Sequence, residues 1–247
     1  FWSQALRIQL RLEWALKGLL GLRLSDGRQR ALVTGLYADV VASMAAGYKH
    51  DGKYKTSLRC LSEARLQREE ELALVLEPPH LSSTAQREAT ILAAIARLFW
   101  EEADVYFVTG RYQDCILSMR RATIVFMQCL ATPEASYRSP LQAPPPPATE
   151  VLSRDACAKV AAVNKSIEAD GKTQLMALRH ELAWRLAMSL LHLAAIYREF
   201  GSRQDESTDQ LDEACAEERS YKSMQRRIQL AQETSSLALR LAKAHFG

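Results

Sequence analysis

Residues 45–64 read AAGYKHDGKYKTSLRCLSEA, and residues 103–122 read ADVYFVTGRYQDCILSMRRA. Laid in register 58 residues apart, the stretches repeat one constellation: Ala45, Tyr48, Gly52, Tyr54 and Ala64, then Ala103, Tyr106, Gly110, Tyr112 and Ala122. A partial third copy holds Ala194, Tyr197 and Gly201. Five of the 8 tyrosines fall in these slots, and glycine is also scarce at 10, so coincidence is a poor explanation and an internal repeat a good one.

The spacing predicts a helical hairpin. An alanine on the first helix permits a close crossing by a second. The tyrosine three residues later lies on the same face and fills the space between the helices. Glycine ends the first helix, because the left-handed residue there costs other side chains most. The second tyrosine opens the next helix, and the alanine ten residues on permits another close crossing. Such a hairpin leaves apolar edges that only neighbouring hairpins can cover.

Working outward, all 8 prolines fall in two places, Pro78 and Pro79, then Pro133, Pro140 and Pro144 to Pro147. Elsewhere nothing forces a helix to break, and strong helix formers fill the space between. No alternating run suggests a strand. The fold class is therefore all-α, with about eight helices near 2–24, 29–49, 53–76, 83–109, 111–131, 152–168, 172–200 and 208–245. Ser83 and Gln86 have capping-box spacing, and Gly27, Gly52, Gly110, Gly171 and Gly201 sit at expected helix ends. Residues 132–151 are Pro-rich and read as a stiff spacer, with a ligand for an aromatic-lined groove as the alternative. The expected organisation is N-terminal helices over 1–131 holding two hairpins, the linker 132–151, and C-terminal helices over 152–247 holding the third, partial hairpin on one continuous stack.

The chain has 247 residues, 48% apolar and 25% charged, which is enough to bury a core and excludes wholesale disorder. A net charge of +3 is small for a binder driven by phosphate neutralisation. Cys60, Cys115, Cys129, Cys157 and Cys215 are odd in number and widely spaced, so free thiols in a reducing compartment are expected, cytoplasm or mitochondrial matrix. No stretch reads as about 18 apolar residues long, so no membrane span is expected. Residues 1–24 carry Arg7, Arg11, Lys17 and Arg23 against Glu13 alone, which fits a first core helix with a basic face or peripheral contact with a membrane. The first residue is Phe1 and not Met, so trimming is expected, by removal of a targeting peptide or otherwise.

The constellation resembles the tetratricopeptide repeat (TPR). Gly-Lys-Tyr at 52–54 and Gly-Arg-Tyr at 110–112, each with an alanine ten residues after the tyrosine, match that family's G-x-Y…A core. The likeness covers about 27 residues in each of two copies and the first helix of a third. It departs from the family where Val41 stands for an aromatic that the second copy supplies as Phe99, where Arg203 replaces the third copy's second tyrosine, and in the long separations between copies.

The resemblance implies a right-handed stack of helical hairpins that acts without catalysis, as a protein-binding scaffold and accessory subunit of a larger assembly. It implies a concave groove for an extended peptide or partner helix, lined by each first helix. Carried over by position, the groove candidates are Asp39, Lys49 and His50, then Arg97, Trp100, Asp104 and Phe107, then Arg198 and Glu199. The family's chaperone-carboxylate clamp is not expected, since Ala46, Asp104 and Ala195 occupy its positions and Asp104 would repel a carboxylate.

No cofactor or metal site is expected. Gly171-Lys172-Thr173 lacks the first glycine of a phosphate loop, Ser166 standing there. His50, His80, His180, His192 and His245 form no zinc-type pair, and adjacent carboxylates such as Glu101 and Glu102 point to different azimuths on a helix. The acids between Asp205 and Glu218, followed by Arg219 to Arg227, read as a solvated helix start or a dock for a basic partner. The alternative functions are a helical-repeat RNA binder or a peptide adaptor, the former lacking regularly spaced readout residues.

Overall fold

The computed structural model describes residues 2–22, 26–76, 84–131, 173–200 and 228–236, with single helical residues at 158, 160, 162, 225, 238–240, 242 and 243. Every regular element among them is an α-helix: α1 (Trp2–Gly21), α2 (Gly27–His50), α3 (Tyr54–Leu76), α4 (Thr84–Val108), α5 (Tyr112–Ala131) and α6 (Thr173–Phe200). The all-α expectation holds, with boundaries within three residues for these six. The expected helices at 152–168 and 208–245, the 132–151 linker, Ser83, Gly171 and Gly201 lie wholly or largely outside the described residues. The chain forms two compact units, 1–109 and 110–247, dividing in the turn of the second copy.

That turn and the one 58 residues earlier have the same shape. Gly52 and Gly110 both adopt φ +72°. Around Gly52 the Lys53 amide donates to the Tyr48 carbonyl at 2.8 Å and the Gly52 amide to the Lys49 carbonyl at 3.0 Å, the pair of bonds that defines a Schellman end. The bond from Asp51 to Gly47 recurs as Thr109 to Val105, and that from Ser57 to Lys53 as Cys115 to Arg111. A side chain at either glycine is strained by its backbone, since nothing else crowds the position. Gly52→Ala should therefore cost about 1–2 kcal/mol, read as a lower denaturant midpoint; an unchanged midpoint would show the turn to be plastic. Gly27 differs from expectation: it opens α2 instead of ending a helix, behind Asp26, whose side chain accepts the Arg28 amide at 2.9 Å.

In the first unit α2 and α3 run antiparallel. Ser57 Oγ donates to the Ala45 carbonyl at 2.8 Å near the turn, and Arg30 reaches Glu70 at 2.8 Å at the far end. The core between them holds Tyr37, Val41, Ala45, Cys60, Leu61 and Ala64, with Leu98 and Val105 from α4 and Leu16 and Leu20 from α1 against it. The alanine notches are closed: Ala45, Ala64, Ala103 and Ala122 are buried. At Gly35 the approach is tighter still, for a β-carbon there would stand 2.7 Å from Glu71 Oε2. Buried Glu71 is held by Arg68 and lies 3.6 Å from Arg87. α2 also corrects one expectation, being long and apolar enough to cross a membrane by length and composition. Its apolar face is occupied by this core, so it is packed as a core helix.

The Tyr37 hydroxyl donates to Glu63, and Lys17 Nζ lies 5.6 Å from the ring centre. Burial foremost, then the bond to Glu63, push the Tyr37 phenol from 10.0 to about 12. An unfolded chain loses this proton near its ordinary value while the folded chain keeps it, so stability is whole below pH 10 and declines up to about pH 12. Lys17, raised mainly by its hydrogen bond with Glu13, contributes with the same sign. Denaturant titrations at about pH 8 and about pH 11 should differ by about 1 kcal/mol, nearly all from Tyr37, because the Lys17 ammonium is exposed and screened. Tyr37→Phe should flatten that alkaline decline while losing about 1 kcal/mol at neutral pH.

In the second unit α5 and α6 are antiparallel. Arg120 Nε donates to the Tyr197 hydroxyl at 2.6 Å, and its guanidinium lies 5.5 Å from that ring. Toward the other end buried Arg179 donates to the Leu130 carbonyl at 2.7 Å and the Cys129 carbonyl at 3.4 Å, covering the C-terminus of α5. Phe126, Leu130, Leu186, Leu190 and Leu193 are fully buried here, and Ala194 and Tyr197 of the third copy join them. Cys60, Cys115 and Cys129 are buried free thiols.

Candidate functional site

α2 presents Ala38, Ala42, Ala45 and Lys49 at helical spacing, and α4 presents Ala94, Leu98, Glu101 and Val105 at the same spacing. Both helices pack against α3, and the small residues leave a hollow between them. It measures about 240 Å³, is floored by Ser57 and Leu61 of α3, and is edged by Asp39, Ala46, Arg68 and Arg97. A groove between two first helices is the place the repeat resemblance assigns to a bound segment.

Its ends are ionic. Lys49 Nζ lies 2.6 Å from Asp104 Oδ2 and 3.3 Å from Glu101 Oε2, crossing from α2 to α4. Burial alone would lower the Lys49 pKa, but the bond to Asp104 and the charge of Glu101 outweigh it and the net shift is upward. At the other end Arg68 of α3 pairs with Asp39 of α2 and with Glu71. Between these clamps the lining is mostly alanine, leucine and valine, with Ser57 and Arg97 among them.

The carried-over residues separate clearly. Asp39, Lys49 and Arg97 line the hollow, and Asp104 closes it through Lys49. His50, half-buried Trp100 and the exposed Phe107 are not among the lining residues. Arg198 and Glu199 belong to the second unit, where Arg198 Nη2 stands 3.0 Å from Glu199 Oε1. Arg68 and the alanines at 38, 42 and 94 are not among the residues expected from sequence, and Ala46 and Glu101 enter there only as a rejected clamp position and a rejected carboxylate pair. The alanines had a signal, four-residue spacing on one face; the charges had none, because their partners lie on other helices.

A second, more open hollow of about 450 Å³ lies beside the start of α2, edged by Arg28, Leu32, Arg87 and Ile91. Arg87 at its edge lies 3.6 Å from Glu71. Among the described residues no group of three or more His, Cys, Asp or Glu is placed to hold a metal ion.

No protein-family model matches this chain, and no curated protein matches it either. Among solved structures it is similar to a de novo designed helical repeat protein, with 12% identity and a TM-score of 0.34, over 98% of this chain and 100% of that one. A likeness at that level does not define a topology.

Proposed function

We propose that this chain is a degenerate, lengthened TPR-like protein that serves as a non-enzymatic protein–protein scaffold, an accessory subunit of a larger assembly. The observation that carries the reading is the alanine-walled hollow between α2 and α4, edged by Asp39, Arg97 and Lys49. Its small-residue walls would admit an extended peptide segment, with the ion-paired ends as polar anchors for a partner chain. The recurring glycine turns support the repeat resemblance on which the groove was expected. Buried free thiols suit a reducing compartment, cytoplasmic or mitochondrial.

Ala46 is exposed at the groove edge, so filling it tests the reading without disturbing the core. Protein companions that co-purify with the native chain should be lost with Ala46→Trp, their affinity falling at least ~10-fold, while the helical circular dichroism is unchanged. Companions retained by Ala46→Trp would move the interface elsewhere. Binding to single-stranded RNA with a steep salt dependence would favour the RNA-binding alternative instead.

A further inference from the structure

α1 has two apolar edges, and α2 covers one of them. Leu16 and Leu20 pack against the first unit's core, and the Gln9 amide donates to Ser43 of α2. The second edge is Ala5, Ile8, Leu12, Ala15, Leu19 and Leu22, spaced three and four residues alternately, which is the seam of a coiled coil. All six are exposed, Ile8 by 60% and Leu22 by 61%. Leu22 still belongs to the helical run, its amide bonding the Gly18 carbonyl at 3.2 Å. A helix that is apolar on two sides is normally covered on both.

We propose that this seam is the interface of an antiparallel homodimer, the occupant being α1 of a second copy. Read backwards, the seam complements itself. A two-fold axis between Glu13 and Trp14 sets Ala5 against Leu22, Ile8 against Leu19, and Leu12 against Ala15, so each small residue meets a large one. Charge permits the same pairing. Arg11 flanks the seam on the edge that carries Gly18, and the antiparallel arrangement brings it beside the second copy's Gly18 and not beside a cation. Lys17 and Glu13 are on the covered side, 2.8 Å from each other. Stripes about 26 Å long and about 10 Å wide on the two copies give a joined area of roughly 500 Å², which falls short of a specific interface without neighbouring apolar residues. Leu32 and Leu36 enlarge it: both are exposed on α2, and Leu36 is one heptad before Ser43 on the face beside α1. A lipid surface fits less well, because Arg7 and Arg11 fall between Trp14 and the seam and interrupt the apolar side.

The dimer is independent of the groove and is tested on the whole chain. Sedimentation equilibrium should give a dimer at ~100 µM, and Leu12→Glu should convert it to a monomer with unchanged helix content. On oxidation Ile8→Cys/Leu19→Cys should cross-link two chains, whereas Ile8→Cys alone should behave as wild type, since the two copies' residues 8 would be ~16 Å apart. A monomer at that concentration, a dimer indifferent to Leu12→Glu, or cross-linking by Ile8→Cys alone would each overturn the proposal. A monomer that co-sediments with anionic phospholipid vesicles would overturn it in favour of a membrane surface.

Discussion

Phe99→Ala should lower the stability of the first unit by about 3–5 kcal/mol, the usual range for deleting a fully buried ring. Phe99 has no exposed surface, so little collapse is available to close the cavity. It also faces a charge. The Arg65 guanidinium lies 5.1 Å from the ring centre and is itself buried. Its Nε and Nη1 make no hydrogen bond, while Glu69 and Glu102 stand at 3.7 and 3.8 Å. The ring face is therefore part of what holds that cation away from water. Removing it exposes Arg65 to a loose cavity and adds to the hydrophobic loss. Hydrogen exchange should show the largest fall in protection along α3 and α4. A destabilisation under ~1 kcal/mol would mean that the neighbouring side chains move in to replace the ring.

The second large effect is expected at Arg179. Arg179→Met should cost about 1–3 kcal/mol, because it removes a charged donor from the carbonyl of fully buried Leu130. Met replaces much of the apolar stem, so the loss reads mainly on the Cys129 and Leu130 carbonyls. Burial pulls the Arg179 pKa below its ordinary value, yet no other side chain supplies two forked donors at that position. Arg179→Lys should recover part of the loss through one carbonyl. Denaturant unfolding of both variants, with exchange followed at the end of α5, checks the order Met worse than Lys. Equal effects would mean that charge and not donor geometry matters there.

Much of the helical layout could be read from the chain. Glycines at 52 and 110 end helices because the turn needs a left-handed residue, and that need is local. Alanines 45, 64, 103 and 122 are buried, and a small residue at repeated helix positions is a signal carried by the residue itself. Asp39, Lys49 and Arg97 reached the groove through the repeat register alone. What sequence could not supply was pairing across helices. Lys49 finds Asp104, and Arg179 finds the end of α5, over tens of residues with no local signature. Gly27 was misplaced for a related reason: glycine is tolerated at both ends of a helix, and Asp26 decides which end this is. The two apolar edges of α1 were blurred into one basic amphipathic helix, because only packing shows which edge α2 covers.

Positions 35 and 71 are tied in a way that substitution patterns would reveal. The carboxylate of Glu71 fits because the residue opposite is no more than a hydrogen. Alanine at 35 would favour the helix by about 1 kcal/mol, yet it would evict an anion shared by Arg68 and Arg87 and leave two cations to repel. A methyl group at 35 therefore requires the Glu71 carboxylate to shift, and a shorter residue at 71 would remove that demand.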